Sequence, residues 1–290
     1  MNKPFSLKIF VANGDPDGLR IVERSNWIGR AVVFPRPLLP AIKQREEFNQ
    51  TGVYLLLGPR PDGEGEMIYI GEGDPVRQRL ESHFSNKDFW TRAVFFVAGA
   101  GQLNKAHVQF LESQLIRRAK AAKRMPLDNA NTPTEPTLSE ADRADMTVFL
   151  EHMLSMLPVL GVQAFELAST VPVSNASTTI LTCRGKGLEA RGYESTQGFV
   201  VQAGSQATLE AVPSMQEHAR GAYDMWQEVI ANGVLRGTAE CYVFTQDYSF
   251  SSPSMAATVV LGRSANGRAE WKDARGRTLK ELQMQQAEAA

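Results

Sequence analysis

Cysteine is scarce in this chain: Cys183 and Cys241 are the two thiols among 290 residues. Neither has a partner at metal-ligand spacing, and a disulfide between them cannot be assumed. Long apolar runs are missing too. No stretch approaches the roughly 18 apolar residues that a membrane span needs. The opening, Met1 to Phe10, holds one short apolar stretch and lacks the core of a secretory leader. These absences predict a protein without a membrane partner, with reduced thiols, in a cytoplasm. Charge of one sign is also lacking, at a formal net −1, so nothing global announces a polyanionic partner. No zinc-finger, helix-turn-helix or P-loop pattern is present, and nothing in the sequence points to a particular target site.

What is there is unevenly distributed. Residues 1–135 carry 19 Lys/Arg against 15 Asp/Glu, whereas 136–165 carry 1 against 4 and 166–290 carry 11 against 13. The modest positive excess therefore sits in the first half, which is compatible with phosphate binding. The length suits two domains, each able to bury a core.

Residues 6–13, Leu19 to Val22 and Arg30 to Phe34 read as strands, and Pro35, Pro37 and Pro40 then interrupt regular structure. Residues 52–58 (GVYLLLG) and 67–73 (MIYIGEG) are strands rich in β-branched and aromatic residues, joined by a turn-rich connection that suits an antiparallel hairpin. Pro75 fits the first position of a helix, with Asp74 as its N-cap. Ala93 to Ala98 is a further strand, and Asn104 to about Arg124 a long amphipathic helix. The order over residues 51–135 is β-β-α-β-α, a compact α/β (α+β) module with a small mixed sheet flanked by helices. Residues 1–50 are a β-rich extension packed on it. Residues 136–175 form a helical linker, opened by a capping box at Ser139 and Asp142. Residues 176–290 form a second α+β domain, with strands at Thr178 to Cys183 and Gly198 to Gln202, a helix from Met215 to Ile230, and an apolar run from Ala256 to Gly262.

Chemistry concentrates in the module. Glu112 falls in the apolar stripe of the long helix with Val108, Leu115 and Ala119. A carboxylate there is costly unless it is paired, protonated or bound to a cation. It either pairs at the edge of the core, with Arg79 or a lysine, or holds a divalent metal through its oxygens. Arg79 and His83 stand four apart on one helix face. Tyr54 and Tyr69 are strand tyrosines, which ordinarily keep their hydroxyls at the rim of a core. Phe89 and Trp90 suit core packing better than base stacking.

Taken in order, Gly52-Val53-Tyr54, Tyr69-Ile70-Gly71, Arg79, His83, Glu112 and an asparagine near residue 129 resemble the GIY-YIG nuclease family. The resemblance covers residues 51–135, with Val53 standing in the first motif where the family has Ile. It implies a metal-dependent endonuclease acting on nucleic acid, DNA being favoured over RNA, with Mg²⁺ or Mn²⁺ as cofactor. It implies that Glu112 holds the metal and that Arg79 contacts phosphate. Tyr54 would serve as general base or orient the water, Tyr69 and His83 would position groups or move protons, and Asn129, with Asn131 as the alternative, would fix local geometry. A phenol with an ordinary pKa of about 10 needs a cationic neighbour to act as a base. Glu72 and Asp74 add negative charge near the site. Lys105, Arg117, Arg118, Lys120, Lys123 and Arg124 form a basic tract, suited to nucleic acid or to a solvated helix face. A double-strand break from single-site domains would need a homodimer.

Residues 252–272 resemble a small C-terminal domain of unknown function that follows GIY-YIG nucleases in bacterial proteins. Ser252, Ser254, Arg263, Asn266, Trp271 and Lys272 are its candidate polar surface. Two other readings stand beside the nuclease. One is a non-cleaving nucleic-acid-binding or regulatory protein on the same scaffold, and the other is a protein-interaction module of a restriction or defence system.

Overall fold

A computed structural model of the chain describes residues 4–60, 65–166, 179–195 and 198–289. The chain divides into two compact units, Met1–Glu166 and Leu167–Ala290.

Unit 1 is built on one six-stranded sheet. Its strands are β1 (Leu7–Val11), β2 (Arg20–Arg24), β3 (Gly29–Pro35), β4 (Gly52–Pro59), β5 (Glu66–Gly73) and β6 (Arg92–Ala98), in the spatial order β1-β2-β3-β6-β4-β5. Every strand pair is antiparallel, where the sequence suggested a small mixed sheet. Among the described residues the one parallel contact in this unit is an isolated bridge, Ile68 with Leu127. The amino-terminal strands continue the module's sheet, because β3 pairs with β6 along its whole length. Alternation explains why one sheet supports two cores. Val53, Leu55, Leu57, Ile68, Ile70, Val94 and Phe96 face one side, under α3 (Lys105–Ala122) and α4 (Glu140–Met156). Tyr54, Leu56, Phe95 and Val97 face the other, with Leu39 and Ile42 from α1 (Leu39–Ile42) and Val76 and Leu80 from α2 (Val76–Asn86).

The helix ends follow local chemistry. Asn104 caps α3 by accepting from the His107 N–H (3.0 Å). Ser139 caps α4, accepting from the Asp142 N–H (3.1 Å) and donating to its carboxylate (2.7 Å). Met146, Phe149, Met153 and Met156 of α4 belong to the core of unit 1, so the stripe assigned to a linker has sheet beneath it. At α2 the expectation shifts by one residue. Pro75 occupies the N-cap position, after a cis Asp74–Pro75 bond. Asp74 instead accepts from the Thr51 hydroxyl (2.6 Å), which ties the start of β4 to the end of β5.

Unit 2 holds a four-stranded sheet, β13-β9-β8-β7, and a three-stranded one, β10-β12-β11. The strands are β7 (Leu181–Gly185), β8 (Leu188–Ser195), β9 (Gly198–Val201), β10 (Gln206–Ala207), β11 (Leu235–Gly237), β12 (Tyr242–Phe244) and β13 (Tyr248–Phe250). The helix expected from Met215 to Ile230 is two helices, α5 (Pro213–His218) and α6 (Arg220–Ala231), because Ala219 leaves helical geometry at φ −137°. The apolar run after residue 255 lies within helix α7 (Pro253–Leu261), stopped by Gly262 at φ 63°. The short α8 (Gly267–Glu270) and α9 (Leu279–Ala289) follow. Thr178, expected to start a strand, lies outside the described residues. Both cysteines are free and buried.

Candidate active site

The site forms at the β5 edge, where Arg79 on one face of the sheet is felt by Glu112 from the other. Register brings the tyrosines together. Tyr54 on β4 pairs with Gly71 on β5, and Tyr69 with Leu56, so both rings project from one face. Their centroids lie 6.3 Å apart. The glycine has a steric cause: a Cβ at residue 71 would lie 2.3 Å from the Tyr54 hydroxyl. The phenol thus sits directly on the strand where any larger residue would displace it.

Helix α2 crosses the same face and delivers Arg79 and His83, one turn apart. The Tyr54 hydroxyl lies 2.8 Å from His83 Nε2 and also meets the Arg79 side chain. The His83 ring packs against Tyr69 at 4.9 Å, edge to face. The Lys87 ammonium sits over the other part of this cluster, 4.6 Å from the Tyr69 ring centroid, and pairs with Asp128 at 2.5 Å.

Electrostatics assign the protons. Burial pushes the Tyr54 phenol well above its ordinary value, reinforced by Tyr69 and opposed by Arg79. Arg79 is the cationic neighbour the sequence asked for, but desolvation outweighs it. Burial, with the charges of Arg79 and Lys87, pushes His83 down to about 4. At neutral pH the pair is therefore a phenol and a neutral imidazole, joined by one hydrogen bond between the Tyr54 hydroxyl and Nε2.

Glu112 reaches this edge from the opposite face, along α3. Burial pushes its carboxyl up to about 7, Glu72 adds to the rise, and Arg79 and Lys105 oppose it. The same Arg79 is thus felt by Glu112 and by Tyr54. Glu72 alternates with Gly71 and so faces α3, where Lys105 binds both its oxygens at 2.6 and 2.7 Å. Among the described residues no group of three or more His, Cys, Asp or Glu side chains is arranged around one point.

Asn129 lies beside the site and acts on the backbone. Its Oδ1 accepts from the Ile70 N–H (2.9 Å) and its Nδ2 donates to the Ile70 carbonyl (2.7 Å). Pro126 and Asp128 bond Ile68 in the same way, at 3.0 and 2.8 Å. Residues 126–129 therefore cover the open edge of β5 and fix the strand that carries Tyr69, Gly71 and Glu72. Asn131 is exposed and outside this arrangement.

The structure brings Tyr54, Tyr69, Arg79, His83, Glu112 and Asn129 to one edge, but the basic tract does not join them as a stripe of waiting cations. Only Lys105 lies at the site, and it is bound to Glu72. Arg117 and Arg143 share Glu135. Lys120 donates to Thr132 at 2.5 Å. Arg118 and Arg124 donate to the carbonyls of Phe165 and Glu166. Lys123 takes the left-handed C-cap of α3. Trp90 is buried in the core, as expected for packing. Lys87 and Asp128 also flank Tyr69; no motif marks them, since their meeting depends on the fold of residues 126–129.

In unit 2 the residues proposed for a polar surface have local structural duties. Ser252 and Asn266 cap α7 and α8, Arg263 pairs with Glu270 at 2.7 Å, and the fully buried Trp271 donates to the Pro253 carbonyl at 3.0 Å. Trp271 therefore belongs to the core and not to a surface. Residues 181–283 match the model of a family described as a domain of unknown function (DUF4357). No GIY-YIG family model matches the chain, and no curated protein and no solved structure matches it. No helix among the described residues is long and apolar enough to cross a membrane.

Proposed function

We propose that unit 1 is a metal-dependent endonuclease that hydrolyses phosphodiester bonds in nucleic acid, with DNA as the favoured substrate. The observation that carries this reading is the convergence of Tyr54, His83 and Arg79 around one phenol, with Glu112 in the field of the same guanidinium. A half-buried carboxylate with a raised pKa and a second carboxylate nearby suits a hard divalent cation, with water completing the shell. When bound by Glu112, Mg²⁺ or Mn²⁺ would neutralise phosphate charge and favour departure of the leaving oxygen. Arg79 is exposed and donates in a planar fork that matches a phosphate. Tyr54 serves as general base toward the attacking water or orients it, with His83 in hydrogen-bond reach to share the proton and Arg79 beside the phenol oxygen. Asn129 positions β5.

Unit 2 is proposed as a binding or targeting domain. The engaged cations of α3 argue that substrate contacts beyond the scissile phosphate do not come from that helix alone.

The test uses purified protein with plasmid DNA and with single-stranded RNA, in Mg²⁺, Mn²⁺ or EDTA, beside Arg79→Ala and Glu112→Ala. Cleavage that needs the metal and is lost in both variants supports the proposal. Tight binding without cleavage of either substrate would favour the non-cleaving scaffold, and binding of neither would favour a protein-interaction module.

A further inference from the structure

The rim of the sheet opposite β5 is built differently. Ala12 donates to the Leu19 carbonyl and Ser25 to the Ser6 carbonyl, both at 3.0 Å, and Lys8 and Phe10 face Glu23 and Ile21 in register. Residues 6, 8, 10 and 12 thus turn their main-chain groups toward β2. By alternation Leu7, Ile9 and Val11 turn theirs away from the sheet. Large apolar side chains are exposed here as well: Phe5 is 37%, Ile9 50% and Phe10 54% exposed, three of eight such residues among those described. Of the devices that blunt an edge, β1 has its short length and one lysine, Lys8, but neither a proline nor a bulge. Its ladder with β2 is unbroken over five pairs.

We infer that β1 is where two copies of this chain pair, antiparallel and two-fold, centred on Ile9. The strand is complementary to itself in that register. Leu7 faces the second copy's Val11, and Ile9 faces its own counterpart. Every outward N–H then meets an outward carbonyl, aliphatic opposite aliphatic. The Val11 carbonyl also accepts a long bond from the Gly14 N–H (3.4 Å) and keeps a second lone pair for the ladder. On the other face Lys8 comes opposite the second copy's Phe10, an ammonium beside an aromatic ring, with Glu23 as its cross-strand neighbour. Such a contact uses the same patch on both partners and closes at two copies, which removes both open edges.

Two consequences follow from size and geometry. A five-residue ladder buries far less than the roughly 800 Å² per partner of a standard interface, so the dimer is weak and reversible. Strands lie about 4.8 Å apart, so in a twelve-stranded sheet the two β5 edges are roughly 50 Å apart. This pairing does not bring two β5 sites to one base pair.

Sedimentation velocity on the full chain, from about 1 to about 200 µM to span weak association, should pass from monomer to dimer. Ile9→Pro deletes only an outward N–H and should stay monomeric throughout, with unchanged melting, since proline is tolerated on such an edge. If that variant folds poorly, cysteine cross-linking decides independently. Opposed Cα atoms in a hydrogen-bonded pair are about 5.5 Å apart, within disulfide reach. Ile9→Cys should therefore cross-link under mild oxidation, and Val11→Cys should not. A wild-type monomer at every concentration, a dimer retained by folded Ile9→Pro, or equal cross-linking by the two cysteine variants would overturn the inference. No nuclease readout enters, so the outcome is independent of the function proposed for the β5 edge.

Discussion

The β5 edge of unit 1 and the sheets of unit 2 treat ionisable groups in opposite ways. In unit 2 the charges are matched locally: Glu189 is held below the usual carboxylate range by hydrogen bonds from Arg184 and Arg191, and Asp273 is held low by Arg277 although desolvation pulls it up. At the β5 edge, Tyr54, His83 and Glu112 are all displaced by desolvation away from their charged forms. The first pattern pairs exposed charges with near neighbours. The second gathers titratable groups shifted toward their neutral forms beside an exposed guanidinium, the kind of arrangement that marks a candidate site. Cys183 shows that burial alone is insufficient. Desolvation pushes its thiol up to about 12, yet it sits inside the unit 2 core as a small apolar residue.

The sharpest way to separate the units is to damage one at a time. Trp271→Ala removes a wholly buried indole and its bond to Pro253. It should destabilise unit 2 by about 3–5 kcal/mol, seen as one lowered transition in calorimetry, with the unit 1 transition in place. Gly71→Ala should cost unit 1 about 1–3 kcal/mol, because the new Cβ overlaps the Tyr54 hydroxyl. The displaced phenol should slow any cleavage by about 100-fold, the scale of a misplacement near 1 Å. Retained cleavage in that variant would remove Tyr54 from the account. Asn129→Ala leaves the Ile70 N–H and carbonyl without their partner and should cost about 1–3 kcal/mol, whereas Asn131→Ala should melt like the wild type.

A further difference is a pair of opposed pH slopes in metal-free protein. His83 titrates near 4 when folded and near 6.5 when unfolded, so its contribution is present above 6.5 and is lost as pH falls toward 4. Glu112 titrates near 7 when folded against an ordinary 4.5. Its contribution is present below 4.5 and is lost as pH rises through 7. Melting profiles should show Glu112→Gln stabilised at pH 8 relative to wild type, and His83→Gln relatively protected at pH 5. Parallel profiles for all three proteins would mean that neither group is desolvated as described.

Much of unit 1 was legible because its signals are local or periodic. The capping residues Asn104 and Ser139 and the alternation in β4 and β5 need only neighbouring sequence. The pairing of β3 with β6 was not legible, since the partner of a strand is set by packing across some sixty residues. Within the site the residue types were readable from spacing, but the protonation state of the Tyr54–His83 pair was not. It depends on how deeply Tyr54 and His83 are buried. Unit 2 resisted for different reasons. Strands β10 to β13 are two or three residues long, too short for any period, and α7 is buried around most of its circumference, so it shows no polar face. One signal was present and unused: Lys186-Gly187, with φ 52° and 80°, is a two-residue turn joining β7 to β8.

The central claim is that a cation and a phosphate can meet at the β5 edge. Electron paramagnetic resonance of Mn²⁺ titrated into the wild type, Glu112→Gln and Arg79→Ala addresses it without waiting for a substrate. One Mn²⁺ should bind to the wild type and to Arg79→Ala, and none at the same concentrations to Glu112→Gln. Equal Mn²⁺ binding by Glu112→Gln and the wild type would contradict it.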